Sequence, residues 1–227
     1  IMKYIVAYVN ACSESAKKLA AALGVRAIKA DLLKKVPNDT TVFNYGYSSL
    51  IDCENIINSW VATRRCVNKV LTLSLLSNKN IPCLQFCTDK RKIPKSWEWI
   101  VVRTAVSGDN GKGIEYVERG HHVPKAPLYT EWYEHLYEYR IVVFKGKVVA
   151  RYYKHLYEDG YWWFEEQPKK GLKQVSEACI QGALALGIDY VGFDVLYNSD
   201  EDFRICEANA GPIITDKVIK AIKKELK

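Results

Sequence analysis

The stretch RICEANAGP, residues 204–212, places an acidic Glu207 and an amide Asn209 two positions apart at the end of an apolar run. Side chains at positions i and i+2 of a β-strand point to the same face, so these two groups should project side by side. A third polar residue, Asp194, lies thirteen positions before Glu207 in the apolar run YVGFDVLY. Such a set is either a solvated strand end or a binding site.

The register between the two strands decides whether Asp194 joins the other two side chains. If residue 194 lies opposite 207, all three polar groups point into one pocket. A five-residue loop with 197 opposite 203 would instead turn Asp194 to the other face of the sheet. The site therefore requires an even-numbered loop or a β-bulge. Two carboxylates and an amide oxygen are hard ligands that suit Mg²⁺ and the phosphates it carries.

Composition indicates a folded globular protein. The 227 residues are 48% apolar and 12% aromatic, enough to bury a core in one large or two small domains. The seven cysteines are odd in number and scattered, which fits a reducing compartment, and we expect a cytoplasmic protein. The net charge of +7 suits a polyanionic partner, including nucleic acid, or serves solubility alone.

The chain divides into two parts by pattern. Residues 1–75 read as a small α/β unit that begins with the buried strand KYIVAYV, and 56 to about 80 reads as helical. Later strands include YEYRIVVFKGKVVARYYKH, in which Lys145-Gly146 predicts a tight hairpin turn. Strands and helices are mixed throughout, which predicts an α/β or α+β protein.

A glycine-rich stretch, SGDNGKG at residues 107–113, follows a predicted strand. Its glycines let backbone amides approach a phosphate closely, although a flexible surface hairpin would have the same composition. It is not a Walker A loop, because no Ser or Thr follows Lys112. Arg103, in the apolar strand VVRTAV just before this stretch, needs an anionic partner.

Taken in order, these features resemble the ATP-grasp superfamily. The matching elements are the strand with a basic residue, the glycine-rich loop, YTEWY at 129–133, the EYR hairpin and the final D-x(12)-E-x-N. The closest resemblance is to carboxylate–amine ligases of the RimK-like and COOH-NH2 ligase kind, including forms found in phages. It implies an ATP-grasp fold with a reduced N-terminal Rossmann-like unit, a central subdomain at about 76–130 and a C-terminal subdomain at about 134–227.

The resemblance also implies where ATP and its metal bind. Asp194, Glu207 and Asn209 would hold Mg²⁺, or Mn²⁺, against the phosphates. Arg103 and Lys69 would pair with phosphate oxygens. The glycine-rich loop would cover the phosphates through four of its residues, Gly108, Gly111, Lys112 and Gly113.

The remaining implied roles concern the nucleoside and the reacting groups. Glu131 and the backbone of Trp132 and Tyr133 would meet the adenine edge, and Glu138 would bind the ribose hydroxyls. The catalytic residues would be Arg140 and Lys154, which face the reacting acyl phosphate and the substrate carboxylate. For each charged residue, the alternative is an ordinary surface ion pair.

The function implied is ligation of a carboxylate to an amine through an acyl phosphate formed from ATP. Two alternatives stay open: a catalytically inactive nucleotide- or nucleic-acid-binding module, and a phosphotransferase of the same fold. Trp162 and Trp163 either stack on a planar substrate or pack in the core. The stretch NYGYSS, residues 44–49, either shapes the acceptor site or is a plain turn. The substrates can be small molecules or peptides.

Overall fold

The computed structural model describes residues 3–33, 35–107, 113–156, 162–167 and 171–226. These residues form three β-sheets and five α-helices. The mixture of parallel and antiparallel sheets confirms the predicted fold class. No helix in the described part of the chain is long and apolar enough to cross a membrane.

The first sheet is parallel and lies at the N-terminus. Its strands are β1 (Lys3–Tyr8), β2 (Arg26–Lys29), β3 (Thr40–Tyr45) and β4 (Asn55–Ile57), in the order β2-β1-β3-β4. Helix α1 (Ser13–Leu23) connects β1 to β2 and ends at Gly24, whose φ of 68° gives the left-handed turn that glycine adopts easily. These elements have the mixed α/β character predicted for this part of the chain.

The segment predicted as one helical stretch from 56 to about 80 instead begins with the end of strand β4 and continues as two helices. Helix α2 (Trp60–Val67) and helix α3 (Lys69–Ser77) meet at Asn68, which has an extended backbone. The Asn68 side chain accepts a hydrogen bond of 3.1 Å from the N–H of Leu71 and so caps α3. Asparagine favours this capping position over a helix interior, which explains the break.

The second sheet is antiparallel. Its strands are β5 (Phe86–Cys87), β6 (Trp99–Arg103), β7 (Ile114–Glu118) and β8 (Leu128–Glu131), in the order β5-β8-β6-β7. Leu128 of this sheet packs with Leu73 of α3, and Leu196 and Cys206 of the third sheet lie against the same cluster. The two sheets are therefore joined through a small apolar contact beside α3.

The third sheet has five antiparallel strands. They are β9 (Tyr137–Phe144), β10 (Lys147–Leu156), β11 (Trp162–Glu166), β12 (Tyr190–Tyr197) and β13 (Phe203–Asn209), in the order β11-β10-β9-β12-β13. Helix α4 (Lys173–Leu186) precedes β12, and helix α5 (Asp216–Glu225) ends the described chain. The predicted hairpin is confirmed: Phe144 pairs with Lys147, and Lys145 and Gly146 have φ values of 45° and 71°.

The two faces of the third sheet have different neighbours. On one face, Val143 and Phe193 are buried with residues of α2, α3 and α4. On the other face, Val142 and Phe144 pack against the first sheet and α5. Further along this second face the apolar side chains give way to charged ones, beginning with Arg140. The sequence thus directs its charges to one end of an otherwise apolar sheet surface.

Candidate functional site

A β-bulge brings the three predicted metal ligands to one face. The hairpin between β12 and β13 has a five-residue loop, residues 198–202, which by itself would turn Asp194 away from Glu207. The register shifts after this loop, so that Cys206 is an extra residue and Asp194 lies opposite Glu207. Asn209 follows on the same face, opposite Gly192. The condition set by the sequence is therefore met by the bulge.

Asp194 lies at the centre of a buried charge cluster. Its carboxylate is bound by the Arg140 guanidinium through Nε and, at 2.9 Å, through Nη2. Lys154 Nζ donates to Asp194 Oδ2 at 2.9 Å and also pairs with Glu138. Burial alone would raise the pKa of Asp194, but the charges of Arg140 and Lys154 outweigh it and hold the pKa below its ordinary value. Asp194 is therefore ionised at neutral pH.

A second ion pair extends this cluster toward α3. Lys69, the first residue of α3, places its Nζ 3.1 Å from Glu207 Oε1. The Lys69 side chain is 12% exposed and that of Glu207 is 29% exposed, so the pair lies at the edge of the buried region. The backbone N–H of Lys69 also donates to the carbonyl of Val106, which fixes the start of α3 against the chain that follows β6.

The charged groups balance one another. Three carboxylates and three basic groups form the cluster: Glu138, Asp194, Glu207, Lys69, Arg140 and Lys154. The sequence suggests a metal as the counter-charge for the buried carboxylates, and the structure supplies basic side chains in that position. The pairing leaves carboxylate lone pairs available, since each ionised carboxylate has about four acceptor positions.

The residues at this place fit a hard divalent cation. Two carboxylates and the Asn209 amide come from adjacent positions of two neighbouring strands. The Asn209 Nδ2 atom is buried and has no hydrogen-bond partner among the described residues. Within the described ranges, no group of three or more His, Cys, Asp or Glu side chains is arranged to hold a metal, and the set here has only two carboxylates. Its remaining coordination positions suit phosphate oxygens and water, as Mg²⁺ prefers.

Arg103 ends β6 and is half-buried. It lies opposite Leu128 of β8, whose side chain packs toward α3, so both share the face of the second sheet that looks toward the third sheet. Among the described residues Arg103 forms no salt bridge. Beyond it, Gly113 has a φ of 75°, and a Cβ there would collide with Thr104 Oγ1. Gly108, Gly111 and Lys112 lie outside the described residues.

The segment between the second and third sheets contains the predicted adenine contacts. Glu131 accepts a hydrogen bond of 2.8 Å from the N–H of Gln85, and Arg204 Nε lies 3.9 Å from the same oxygen. The N–H of Trp132 donates to the carbonyl of Trp99 at 3.3 Å. The carboxylate of Glu131 and the N–H of Trp132 are thus already bonded within the protein.

Tyr133 fixes this segment to the third sheet. Its hydroxyl donates to Asp202 Oδ1 at 2.6 Å, and the Arg204 guanidinium lies 4.9 Å from the centre of its ring. Burial, followed by the hydrogen bond to the Asp202 carboxylate, raises the pKa of Tyr133 to about 12. The tyrosine side chain is therefore a neutral anchor between this segment and the β12–β13 hairpin.

Two other sequence predictions have clear outcomes. Lys154 pairs with Phe164, so Trp163 projects from the opposite face and is 55% exposed. The predicted packing in the core is therefore wrong for Trp163, and it cannot stack on a substrate bound at the charge cluster. The stretch 44–49 contains a turn in which Asn44 bonds to both backbone groups of Tyr47. The Tyr45 hydroxyl donates to the carbonyl of Pro212, so this turn also lies beside the chain that follows Asn209.

Sequence reasoning missed two residues that shape the site. Gly192 allows close packing, since a Cβ there would lie 2.7 Å from Pro212 Cβ and 2.9 Å from Arg140 Cδ. A glycine inside an apolar strand was the available signal. The bulge at Cys206 has no comparable signal in the sequence, although its thiol donates to the Asp194 carbonyl at 3.4 Å.

No protein-family model and no curated protein sequence matches the chain. Solved structures do match. An ATP-grasp ligase, PsnB complexed with minimal precursor, is 13% identical with a TM-score of 0.74, over 99% of this chain and 100% of the other. D-alanine–D-alanine ligase from Bacillus anthracis is 13% identical with a TM-score of 0.66, over 98% and 92%. N5-carboxyaminoimidazole ribonucleotide synthetase from Thermotoga maritima is 12% identical with a TM-score of 0.65, over 98% and 72%. The chain therefore has the ATP-grasp fold, and the predicted resemblance is confirmed at that level.

Proposed function

We propose that this protein is an ATP-dependent ligase of the RimK-like kind, which joins a carboxylate to an amine through an acyl phosphate. One observation carries the proposal: Asp194, Glu207 and Asn209 converge on one face, among three basic side chains, in a chain with the ATP-grasp fold. The seven free cysteines suit a reducing compartment, so we assign the reaction to the cytoplasm.

Asp194, Glu207 and Asn209 are the proposed metal ligands. When bound, Mg²⁺ would neutralise charge on the β- and γ-phosphates, which supports phosphoryl transfer to the substrate carboxylate. Structures of similar ligases include one described as complexed with precursor, Mg and ADP and another as complexed with ATP. Lys69, at the start of α3, and Arg103, at the end of β6, would pair with the phosphate oxygens.

Arg140 is the residue proposed to meet the substrate carboxylate and the acyl phosphate. Its Nε and Nη2 groups are bound to Asp194, which fixes the plane of the guanidinium. The Nη1 group has two N–H groups that can donate hydrogen bonds to an anionic oxygen. Asp194 would therefore both bind the metal and orient Arg140, so that the metal and the guanidinium act on the same phosphoryl group.

Lys154 ties the nucleoside part of the site to the phosphate part. Its ammonium bridges Glu138, the proposed ribose ligand, and Asp194, the proposed metal ligand. Segment 131–133 is the proposed adenine edge, contacted through backbone groups other than the Trp132 N–H, which bonds to Trp99. Gly108, Gly111, Lys112 and Gly113 are proposed to cover the phosphates and exclude water, because an acyl phosphate hydrolyses when exposed.

The test is ADP release by purified protein with carboxylic acid and amine libraries, with condensation products identified by mass spectrometry. We expect ADP release to require ATP, Mg²⁺ and a carboxylic acid. An amide product should form only when an amine is also added. ADP release with a hydroxyl acceptor and no amide would indicate the phosphotransferase. Nucleotide binding without turnover under any condition would indicate the inactive module.

A matched pair of variants tests whether the reaction takes place at the charge cluster. Glu207→Gln removes one proposed metal ligand, and we expect its turnover to fall at least about a hundredfold, in line with the loss of a main electrostatic contact. Glu225→Gln removes a similar carboxylate, which pairs with Lys147 at 2.7 Å on the surface far from the cluster, and should leave turnover unchanged. Equal activity of both variants would exclude the metal assignment.

A further inference from the structure

The third sheet carries an aromatic surface on the face opposite the charge cluster. Four adjacent strands contribute to it, and we call it the tyrosine face: Tyr137, Tyr139, Tyr153, Tyr197, His155 and Trp163. The register explains the segregation. Arg140 and Lys154 alternate along β9 and β10 with these aromatic residues, so the two sets project to opposite sides.

The rings form a contiguous layer. Tyr139 lies 5.3 Å from Tyr197 and 5.7 Å from Tyr153 between ring centroids, and Tyr137 lies 5.7 Å from Tyr153. Tyr137 is 44% exposed and Trp163 is 55% exposed. Helix α4 covers the neighbouring apolar part of the same sheet face, and the tyrosine face continues beyond that contact. Tyr139 and Tyr197 also pack against the core beneath α4, so the layer is partly exposed, and a partly exposed aromatic layer of this kind is typical of an interaction surface.

Carboxylates lie beside the tyrosine face, and Arg151, on the same side of the sheet, donates to Ser176 Oγ of helix α4. Glu165 lies opposite Tyr153 on β11, and its Oε2 lies 3.2 Å from His155 Nε2. Burial, together with the charges of Asp200 and Glu201, raises the pKa of Tyr197. Asp200 uses one carboxylate oxygen to accept from the first N–H groups of α4, and its Oδ1 is buried without a hydrogen-bond partner in the described part of the chain.

These properties select a cation. The faces of aromatic rings are electronegative and attract guanidinium and ammonium groups, and nearby carboxylates add to the attraction. The chain itself already packs arginine in this way: the Arg140 guanidinium lies 5.3 Å from the Phe164 ring centre and that of Arg204 lies 4.9 Å from the Tyr133 ring centre. The surface is an open sheet face, whereas small-molecule sites are concave. Its shape therefore favours an extended chain over a small molecule as the ligand.

We propose that the tyrosine face is a docking site for an extended basic peptide segment of a partner protein, with Arg or Lys side chains lying on the tyrosine rings. The face spans four strands, about 14 Å at roughly 4.8 Å per strand spacing, which matches about four extended residues. The net charge of +7 opposes unspecific attraction of a basic peptide, so binding requires a local site. This docking site lies on the face of the third sheet opposite the charge cluster, and binding there does not depend on the ligase activity.

The test uses two fluorescein-labelled peptides, (Gly-Arg)₅ and (Gly-citrulline)₅, which have similar size and hydrogen-bonding groups but differ in charge. Fluorescence polarisation with the full chain at physiological salt should give at least tenfold tighter binding of the arginine peptide. The double variant Tyr137→Ser/Trp163→Ser should weaken that binding about tenfold, and Glu165→Gln should weaken it severalfold. Tyr116→Ser is the control, because Tyr116 is an aromatic residue of the second sheet that is also 55% exposed.

The variants must retain the thermal unfolding midpoint and the nucleotide binding of the parent protein, which separates loss of the docking site from loss of the fold. Equal binding of the two peptides, or an unchanged affinity in the double variant, would overturn the proposal. So would binding of a labelled oligo-dT strand in place of the arginine peptide. Self-association that the double variant abolishes in sedimentation experiments would assign the surface to a second copy of the chain instead.

Discussion

The substitution Asp194→Asn tests the charge cluster most directly. It keeps the size of the side chain and removes the carboxylate that holds Arg140 and Lys154. The side chains of these two residues are 13% and 6% exposed. Among the described residues, Lys154 has a second carboxylate within salt-bridge distance, that of Glu138, whereas Glu207 and Glu138 act on Arg140 only from farther away. The variant therefore leaves one buried cation without its counter-charge. Losing one partner of a buried pair costs about 3–5 kcal/mol in free energy of unfolding.

Glu207→Gln provides the internal comparison. Its side chain is 29% exposed and, among the described residues, forms a salt bridge only with Lys69, so solvent screens the interaction and the expected loss is about 1 kcal/mol or less. Equilibrium unfolding in urea at pH 7, followed by tryptophan fluorescence, measures both variants. The double variant Asp194→Asn/Arg140→Gln should recover part of the loss, because it removes the unpaired charge as well.

The pH dependence supplies a second check with a definite sign. The pKa of Asp194 is lowered in the folded protein, so its stabilising effect is present above the ordinary carboxyl pKa of about 3.9 and is lost as the pH falls through the folded-state pKa. The difference between the parent protein and Asp194→Asn should therefore be constant from pH 5 to 7 and shrink in more acidic solution. Equal losses for the two single variants, or a difference that persists in strong acid, would refute the assigned electrostatics.

Three further outcomes are expected. Gly192→Ala should displace Arg140, whose Cδ would lie 2.9 Å from the new Cβ, and so lower kcat at least about tenfold. The same overpacking should lower the free energy of unfolding by about 1–3 kcal/mol. Asn58 has a φ of 62° and exchanges hydrogen bonds of 2.7 and 2.8 Å with the backbone of Tyr190. Asn58→Ala should therefore lower the free energy of unfolding, measured in urea, by roughly 2–4 kcal/mol. Asn58→Gly should lower it less, because glycine adopts a positive φ without strain. Lys69→Met should raise the KM for ATP about tenfold or more in steady-state kinetics, and an unchanged KM would exclude Lys69 from phosphate binding.

Local pattern identified much of the architecture. The first strand, the hairpin at Lys145-Gly146 and the mixed class follow from apolar periodicity and turn residues, which act over a few neighbouring positions. The break at Asn68 was missed, because a capping asparagine inside an otherwise helical stretch has the same composition as a solvated helix position. Trp163 was predicted to stack on a planar substrate or to pack in the core, and only its pairing with His155 directs it to the face opposite the charge cluster.

The candidate site divides in the same way. The sequence alone determined which residues carry oxygen ligands and basic groups, because residue type and a two-residue strand period are local properties. It left two registers open for Asp194, and the bulge at Cys206 decided between them. The pairing of Asp194 with Arg140 and Lys154 was likewise a matter of tertiary structure, since these residues come from three strands that are distant along the chain and adjacent in the sheet. Charge compensation in a buried site depends on such cross-strand neighbours, and their identity is fixed only when the sheet order and register are fixed.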